Sequence, residues 1–152
     1  MELLNELSEL NHNAFIKFYE MYSLPKSDGS YDYCLAMEYG LMTLKESLEI
    51  KKYTTPEIIH ILSYLVDGLI KAQEQKIVNA DIKPDNIILI QEKNDKFTYK
   101  FIDFGVGYKV EGNQDNMVSY DKIRGLTTNY AAPEILPKSH DKFYDPFQAD
   151  HC

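Results

Sequence analysis

The chain has 152 residues, 44% of them hydrophobic and 26% charged, which are the proportions of one globular domain and not of a disordered segment. Its net charge of −8 argues against nucleic acid or an anionic membrane surface as the main partner, since both are negatively charged. The two cysteines are too few for a disulfide framework and no apolar run reaches membrane-spanning length, so a cytoplasmic location is expected by default, with a nuclear one left open.

The N-terminal part of the chain predicts a helix followed by two extended segments. Leucines recur at helical spacing through residues 2–10. Residues 15–22 form an extended aromatic run, and residues 24–30, which contain a proline and an Asp-Gly pair, are typical of a turn. Residues 31–39 alternate in the manner of a second strand, which is expected to end at Gly40.

Two helices are predicted after Gly40. Residues 44–51 indicate a short one. A longer helix starts with Thr55-Pro56-Glu57, where a hydroxyl N-cap, a proline at the first helical position and an acid in the first turn form a start signal. Gly68 slightly lowers the helix propensity of its middle. We expect the following apolar stripe of this helix to face the core: Ile58, Ile61, Leu62, Leu65, Leu69 and Ala72.

Four polar side chains flank two apolar runs in the middle of the chain. The runs are residues 87–90 and 98–102. Asp81, Lys83 and Asn86 lie on a short loop before the first run, and Asp103 follows the second. If the two runs pair as a hairpin, the loop and Asp103 meet at the same end of it. Oxygen ligands beside an ammonium group suit Mg²⁺ and the phosphates that it carries.

Three short motifs occur in order along the second half of the chain. They are Asp81-Ile-Lys-Pro-Asp-Asn86, Asp103-Phe104-Gly105 and Thr127-Thr-Asn-Tyr-Ala-Ala-Pro-Glu134. Any one of them could occur by chance, but all three at short separations make a specific combination. Together they resemble the catalytic loop, the metal-binding motif and the Ala-Pro-Glu segment of the eukaryotic protein kinases of the serine/threonine type.

The resemblance covers only part of a kinase domain. It implies an α+β, two-lobe, protein-kinase-like fold that is truncated at both ends. Residues 1–36 would be the end of the small lobe, residues 37–40 the hinge between the lobes, and residues 41–152 a partial lower lobe. Asp150 resembles the aspartate that opens the large central helix of that lobe.

The resemblance implies a role for each polar residue around the predicted hairpin. Asp81 would be the catalytic base that accepts the proton of a substrate hydroxyl, and Lys83 would neutralise the phosphoryl group in transfer. A lysine at position 83 is similar to the members of the family that act on serine and threonine. Asn86 and Asp103 would hold Mg²⁺, with the remaining ligands supplied by the phosphates of ATP and by water.

An ATP site and a protein-substrate site are also implied by the resemblance. Adenine would bind against Met37, Glu38 and Tyr39, with Ile88 beneath the base. The residues expected in the substrate-binding segment are Thr127, Tyr130, Ala132, Pro133 and Glu134. Three hydroxyls could accept a regulatory phosphate, although loop hydroxyls usually carry none: Ser119, Tyr120 and Thr127.

Two features depart from the family pattern. Asn79-Ala80 stands where the family usually has His-Arg, and Ala80 cannot form a charge-assisted bond with a phosphorylated activation loop. We therefore hypothesise that loop phosphorylation does not switch the protein through position 80. The sequence also lacks a match to the Gly-rich loop and to the strand lysine that hold the ATP phosphates, and Leu3 stands where the family has the glutamate that pairs with that lysine.

Three functions fit these observations. The first is a piece of a serine/threonine protein kinase, an enzyme by resemblance, although this exact chain would be inactive without the Gly-rich loop and the strand lysine. The second is a pseudokinase-like, non-catalytic protein-binding module. Asn79-Ala80 and the missing strand lysine favour it, and the intact Asp81, Lys83, Asn86 and Asp103 oppose it. The third is a small-molecule kinase, against which the Ala-Pro-Glu segment speaks, since it indicates a protein substrate.

A partial kinase domain would leave apolar faces uncovered on two sides, and such faces promote association. We therefore expect the isolated chain to associate in solution and to unfold with poor cooperativity. Light scattering and thermal unfolding followed by two different probes test this expectation. A monodisperse monomer with a single sharp, two-state transition would contradict it.

Overall fold

A computed structural model describes residues 2–10, 12–93, 95–111, 117–123, 125, 127–136 and 143–150. Within these residues the helices are α1 (Glu2–Glu9), α2 (Leu44–Ile50), α3 (Thr55–Glu74) and α4 (Pro146–Asp150). The strands are β1 (Phe18–Pro25), β2 (Tyr31–Met37), β3 (Met42–Thr43), β4 (Ile77–Val78), β5 (Ile87–Gln91), β6 (Phe97–Phe101), β7 (Tyr108–Lys109), β8 (Val118–Ser119) and β9 (Phe143–Tyr144). The fold is therefore mixed, with helices and strands, as the sequence predicts.

β1 and β2 form an antiparallel hairpin. The first strand begins later than the predicted run at residues 15–22, because Phe15 forms an isolated bridge to Phe101 and only Phe18 and its successors pair with β2. The predicted turn is correspondingly shorter, since β1 continues through its proline and the reversal is made by residues 26–30.

The hairpin predicted before and after the polar turn is confirmed. β5 and β6 are antiparallel, with Ile87 opposite Phe101 and Gln91 opposite Phe97. β3 adds to the other edge of β5, so the three strands form one sheet in the order β3-β5-β6. Phe101 is 1% exposed and lies in a core cluster with residues of α3. The sheet thus gives the polar loop before β5 and the segment after β6 a rigid base.

The start of α3 lies one residue from the predicted cap. The N-cap is Thr54 and not Thr55, because the Thr54 backbone N–H and hydroxyl both donate to the Glu57 carboxylate at 2.8 Å. These bonds, with the backbone N–H of Thr54 as the strongest and Lys51 as a further donor, lower the pKa of Glu57 to about 2. The proline and the acid therefore occupy the first turn, and the preceding hydroxyl caps it.

The apolar stripe predicted for α3 is only partly buried. Leu65, Leu69 and Ala72 lie in the core. The prediction is wrong for Ile58 and Leu62, which are 41% and 53% exposed. The reason is that the described part of the chain covers α3 on the side of the sheet and leaves its opposite side open.

Large apolar side chains are exposed on the β1–β2 hairpin and on α3, and at scattered positions elsewhere in the described residues. On the β1–β2 hairpin, Tyr33 is 72% exposed and most of its aromatic and aliphatic neighbours exceed 40%. On α3, Ile59 is 59% exposed beside Leu62. In the described residues no helix is long and apolar enough to span a membrane.

Gly68 has a packing reason that its low helix propensity does not reveal. A Cβ added at Gly68 would lie 2.4 Å from the Ala14 Cβ and 3.3 Å from the His12 Nδ1. Ala14 is fully buried, and its carbonyl accepts a hydrogen bond of 2.7 Å from the backbone N–H of Phe101. The missing side chain therefore lets α3 approach the segment that joins α1 to β1.

We predict that Gly68→Ala lowers the free energy of unfolding by about 1–3 kcal/mol, because overpacking outweighs the gain of about 1 kcal/mol in helix propensity. Urea unfolding followed by circular dichroism measures the change. Ser63→Ala, at an exposed position of the same helix, is the matched control and should be neutral or slightly stabilising. A Gly68→Ala chain as stable as the natural one would show that Ala14 moves away without cost.

Candidate functional site

The loop between β4 and β5 is shaped by its own backbone bonds. Residues Pro84–Asn86 form a 3₁₀ turn, in which the Asn86 N–H donates to the Lys83 carbonyl at 2.9 Å. Proline suits the first position of such a turn because it has no N–H to satisfy there. The turn directs the side chains of Asp81, Lys83 and Asn86 toward one another.

The Asp81 carboxylate is the centre of the polar cluster. Its Oδ2 accepts from the Lys83 ammonium at 2.6 Å and from the Asn86 amide at 2.8 Å. Its Oδ1 accepts from the Thr127 hydroxyl at 2.6 Å. The Thr127 hydroxyl in turn accepts from the Lys83 ammonium at 3.0 Å. The carboxylate, the ammonium and the hydroxyl are therefore each hydrogen-bonded to the other two.

The protonation state of Asp81 follows from these contacts. Partial burial alone raises the pKa of this carboxyl. Hydrogen bonds from Lys83, Thr127 and Asn86, together with the positive charge of Lys83, outweigh burial and hold the pKa of Asp81 below its ordinary value of 3.8. Asp81 is therefore an ionised carboxylate at neutral pH.

Asn86 and Asp103 are brought together across the base of the β5–β6 hairpin. The Ile102 N–H donates to the Asn86 carbonyl at 2.9 Å, and Asp103 is the next residue. Asp103 has a φ of 58°, and its Oδ1 accepts from the Gly105 N–H at 2.9 Å. A Cβ at Gly105 would lie 2.9 Å from the same Oδ1, which explains the glycine.

The donor set fits a hard cation that is completed by ligands from outside the chain. The amide nitrogen of Asn86 donates to the Asp81 carbonyl and carboxylate, so its amide oxygen faces away from them. Asp103 is exposed and supplies a carboxylate. No group of three or more His, Cys, Asp and Glu capable of holding a metal occurs among the described residues. Two oxygen donors match Mg²⁺, which keeps several positions for water and phosphate.

The predicted hinge begins at Met37, the last residue of β2, and continues directly after the strand. Met37 is 43% and Tyr39 80% exposed. A Cβ at Gly40 would lie 2.0 Å from the Ile88 Cδ1, so Ile88 packs directly against the backbone of this segment. Close packing therefore requires the glycine that ends the second predicted strand.

Two cavities separate the predicted site residues into groups. One, of about 540 Å³, is lined by Asp81, Lys83, Thr127, Tyr130, Ala132 and Pro133 among others. The second, of about 1150 Å³, is lined by Met37 and Asp103 together with residues of α1 and β7. Glu38, Tyr39, Asn86, Ile88 and Glu134 line neither cavity. The substrate segment thus shares a cavity with the proposed base, whereas the start of the hinge shares one with the proposed metal ligand.

Comparison with known proteins decides which family this arrangement belongs to. Residues 1–148 match the model of the family described as the protein kinase domain. The chain belongs to that family. As the sequence predicts, it is a protein kinase domain with mixed α and β structure.

The relatives of this kinase domain include proteins named as serine/threonine kinases. It is 31% identical over 138 residues to the probable serine/threonine-protein kinase fnkE of Dictyostelium discoideum, covering 89% of this chain and 10% of that protein. A second probable serine/threonine-protein kinase of the same organism is 31% identical over 143 residues, 90% of this chain and 21% of the relative. Calcium-dependent protein kinase 4 of Plasmodium berghei is 27% identical over 140 residues, 91% of this chain and 25% of the relative. The chain therefore spans no more than a quarter of the length of these relatives.

Sequence reasoning missed part of how the kinase domain builds the site. Thr127 was placed only in the substrate segment and among possible phosphate acceptors, yet its hydroxyl is engaged by Asp81 and Lys83. Tyr120 is similarly engaged, since its hydroxyl donates to the Glu134 carbonyl. The spacing of the motifs does not reveal such contacts, which arise when the chain returns to the loop.

α1 also contributes to the kinase domain in an unpredicted way. Leu3, at the position where the family carries a glutamate, lines the larger cavity. Glu6, about one turn later, is ion-paired with Lys109 of β7 at 2.6 Å. The pair joins α1 to the segment that follows Asp103.

Asp150 of α4 is hydrogen-bonded to the two residues that precede the catalytic-loop motif. Its Oδ2 accepts from the Asn79 N–H at 2.6 Å and its Oδ1 from the Ala80 N–H at 2.8 Å. Ala80 has a φ of 65°, an uncommon conformation for a residue with a side chain. The bonds from its own N–H and from the N–H of the residue before it hold this strained residue in place.

Asn79 and Phe104 are both buried. Asn79 is 2% exposed, and its amide oxygen accepts from the Asp81 N–H at 3.0 Å. Its Nδ2 has no hydrogen-bond partner among the described residues. Phe104 is 7% exposed and packs edge-on against Phe15, with 5.7 Å between ring centroids. Phe15 therefore supplies an aromatic contact for Phe104 in a chain where Asn79 replaces a ring.

The pKa of the Asp150 carboxyl is raised, whereas that of Asp81 is lowered. Burial raises the pKa of Asp150 to about 6, although the bonds from Asn79 and Ala80 act in the opposite direction. The pKa of Asp150 in the folded chain exceeds its ordinary value of 3.8. Its contribution to the free energy of unfolding is therefore fully present below pH 3.8. It is lost as the pH rises through about 6.

We predict a midpoint near pH 6 for the carboxyl carbon shift of Asp150 in an NMR titration, with that of Asp81 below its ordinary 3.8. The difference in free energy of unfolding between the natural chain and Asp150→Ala should change over the same pH window, by about 1.4 kcal/mol for each unit of pKa shift. An Asp150 midpoint below pH 4 would refute the argument from burial.

Proposed function

We propose that the chain is the catalytic-loop part of a serine/threonine protein kinase, which transfers the γ-phosphoryl group of ATP to a hydroxyl of a protein. The observation that carries the proposal is the Asp81 carboxylate, bonded at once to Lys83, Asn86 and Thr127. Its lowered pKa keeps it unprotonated, as a base must be. The names of the relatives, which specify serine/threonine kinases, support the same class of acceptor.

In the proposed reaction the substrate hydroxyl forms a bond to the γ-phosphorus while the bond from that phosphorus to the ADP oxygen breaks. The hydroxyl proton passes to Asp81. Lys83, whose ammonium lies 2.6 Å from Asp81, offsets negative charge on the transferred group. Phosphoryl transfer depends mainly on positioning and charge stabilisation. Asp81 and Lys83 would therefore serve by orienting the hydroxyl and neutralising charge.

Asn86 and Asp103 are proposed to hold Mg²⁺ through one oxygen each. The ion would supply charge neutralisation at the phosphates of ATP. The chain's own contribution would be to fix the two ligands. The Ile102 N–H is bonded to the Asn86 carbonyl directly before Asp103, and the Gly105 N–H is bonded to the Asp103 carboxylate.

The remaining predicted residues are proposed to bind the two substrates. Met37, Glu38 and Tyr39 would present backbone groups to adenine, with Ile88 beneath. The cavity of about 540 Å³ that contains both Asp81 and Thr127 would receive the protein hydroxyl. Tyr130, Ala132, Pro133 and Glu134 would line the path of the substrate chain.

A pseudokinase-like binding module is the second candidate, and the Asn79-Ala80 sequence favours it. In that case the exposed aromatic face of the β1–β2 hairpin would bind another protein, and catalysis would be absent. The two candidates differ in one respect that can be measured directly, namely Mg²⁺-dependent binding of nucleotide followed by transfer.

We predict that the chain binds ADP only with Mg²⁺ and that Asp103→Ala weakens this binding at least about tenfold, because one of two protein ligands is lost. In a full-length protein that contains this chain, Asp81→Asn should leave the affinity within about twofold and lower phosphoryl transfer to a protein substrate by about 10²- to 10⁴-fold. The chain alone, which has no match to the Gly-rich loop and the strand lysine, is expected to bind nucleotide without transfer. Calorimetry and a radiolabel transfer assay measure the two quantities.

Asp32→Ala, which removes a carboxylate on the β1–β2 hairpin, is the matched control and should change neither quantity. Nucleotide binding that does not depend on Mg²⁺ or on Asp103 would contradict the proposed metal site. Metal-dependent binding by the chain, together with no transfer by the full-length protein that contains it, would favour the binding-module candidate.

A further inference from the structure

Lys100 is the one ionisable residue in the described part of the chain with less than 2% of its surface exposed. None of the motifs above includes it. Only 1% of it is exposed, although it lies on β6 three residues before Asp103. A buried ammonium is costly unless a carboxylate and further hydrogen bonds accompany it. The carboxylate that pairs with Lys100 therefore indicates the role of this lysine.

That partner is Glu38, in the segment proposed as the hinge. The Lys100 ammonium donates to the two Glu38 carboxylate oxygens at 3.0 and 2.9 Å. Glu92 lies 3.9 Å away, too far for a hydrogen bond, and adds only a second negative charge. Glu38 is thus the residue that Lys100 holds.

Glu38 is also bonded to the chain on its other side. Its N–H donates to the Lys17 carbonyl at 2.8 Å, and its Oε2 accepts from the Lys17 N–H at 3.3 Å. Three residues later, the Leu41 N–H donates to the Leu89 carbonyl at 2.8 Å. The segment from 38 to 41 is therefore fixed at both ends, and the charge pair is the side-chain part of its attachment.

The position of Lys100 in the sheet relates this attachment to the proposed floor of the adenine site. Lys100 is directly opposite Ile88 in the antiparallel β5–β6 pair, so their side chains lie on the same face. Ile88 contacts Gly40, and Lys100 contacts Glu38. Two neighbouring side chains of one sheet face thus support two residues of the hinge segment.

We propose that Lys100 is a positioning residue for nucleotide binding, which through its ion pair with Glu38 holds the hinge backbone at a fixed height above Ile88. The inference rests on the proposed function, because it assigns the ion pair to the adenine end of the ATP site. It predicts an effect on nucleotide affinity and hinge order, and none on the proton transfer at Asp81.

The test uses the full chain and two readouts, the affinity for Mg²⁺·ADP and hydrogen exchange of the Glu38 and Leu41 amides without nucleotide. Lys100→Met should weaken ADP binding about tenfold and speed exchange at both amides about tenfold, since the Glu38 carboxylate is left without its cation. Exchange at the Ile102 amide, bonded to Asn86, should not change. Glu38→Gln, which alters only the less buried end of the pair, should shift both readouts in the same direction by less.

Two further variants separate positioning from a merely structural role. Lys100→Met combined with Glu38→Met should regain the melting temperature through apolar packing and still bind ADP weakly. Leu69→Ala, on the buried side of α3, should lower the melting temperature and retain the ADP affinity. A double variant that regains affinity together with stability would overturn the inference.

The outcomes distinguish this inference from the proposed function. If the natural chain binds Mg²⁺·ADP but Lys100→Met changes neither affinity nor hinge exchange, the positioning role is wrong and the kinase proposal stands. If the natural chain binds no nucleotide, the proposed function fails, and with it the assignment of the pair to an ATP site, even where hinge exchange responds as expected.

Discussion

The antiparallel pairing of β5 with β6 is the constraint on which the site depends. At one end of this pairing, the Ile102 N–H is bonded to the Asn86 carbonyl. The catalytic-loop motif and Asp103 therefore lie at the same end of the hairpin. The pairing is favoured because the inward side chains, including Ile87 and Phe101, are buried against the helices. A register shift of one residue would move these side chains from the core to the opposite face, which holds Lys100 and Ile88, so burial of the hairpin also fixes the position of the polar residues.

The same hairpin connects the N-terminal elements to the site. Phe101 donates its N–H to the Ala14 carbonyl and accepts from the Ile16 N–H, so the segment between α1 and β1 is bonded to the last residue of β6. Gly68 permits α3 to approach this junction closely. Through these contacts, packing of α3 and the orientation of Asp103 are coupled, although the two are far apart in sequence.

Residue patterns were sufficient for the features that depend on local order along the chain. The alternation and length of the apolar runs predicted the β5–β6 hairpin, and the motif order predicted the family, because both are properties of contiguous sequence. The burial of Ile58 and Leu62 was predicted wrongly, since periodicity identifies an apolar side of a helix and not what covers it. The contact of Thr127 with Asp81 was also not predictable, because it forms between loops 46 residues apart.

The distribution of hydrogen bonds among the acidic residues supports their different proposed roles. Asp81, Glu38 and Asp150 each have both carboxylate oxygens engaged by donors of the chain, which fixes their orientation. Asp103 is exposed, and in the described residues only its Oδ1 is engaged, by one backbone N–H. A ligand for an external cation needs free lone pairs, whereas a base or an anchor needs a fixed position. Asp103 also has a left-handed backbone conformation, which costs of order 1–3 kcal/mol at a non-glycine residue. Such a cost agrees with a carboxylate held for binding and not for packing.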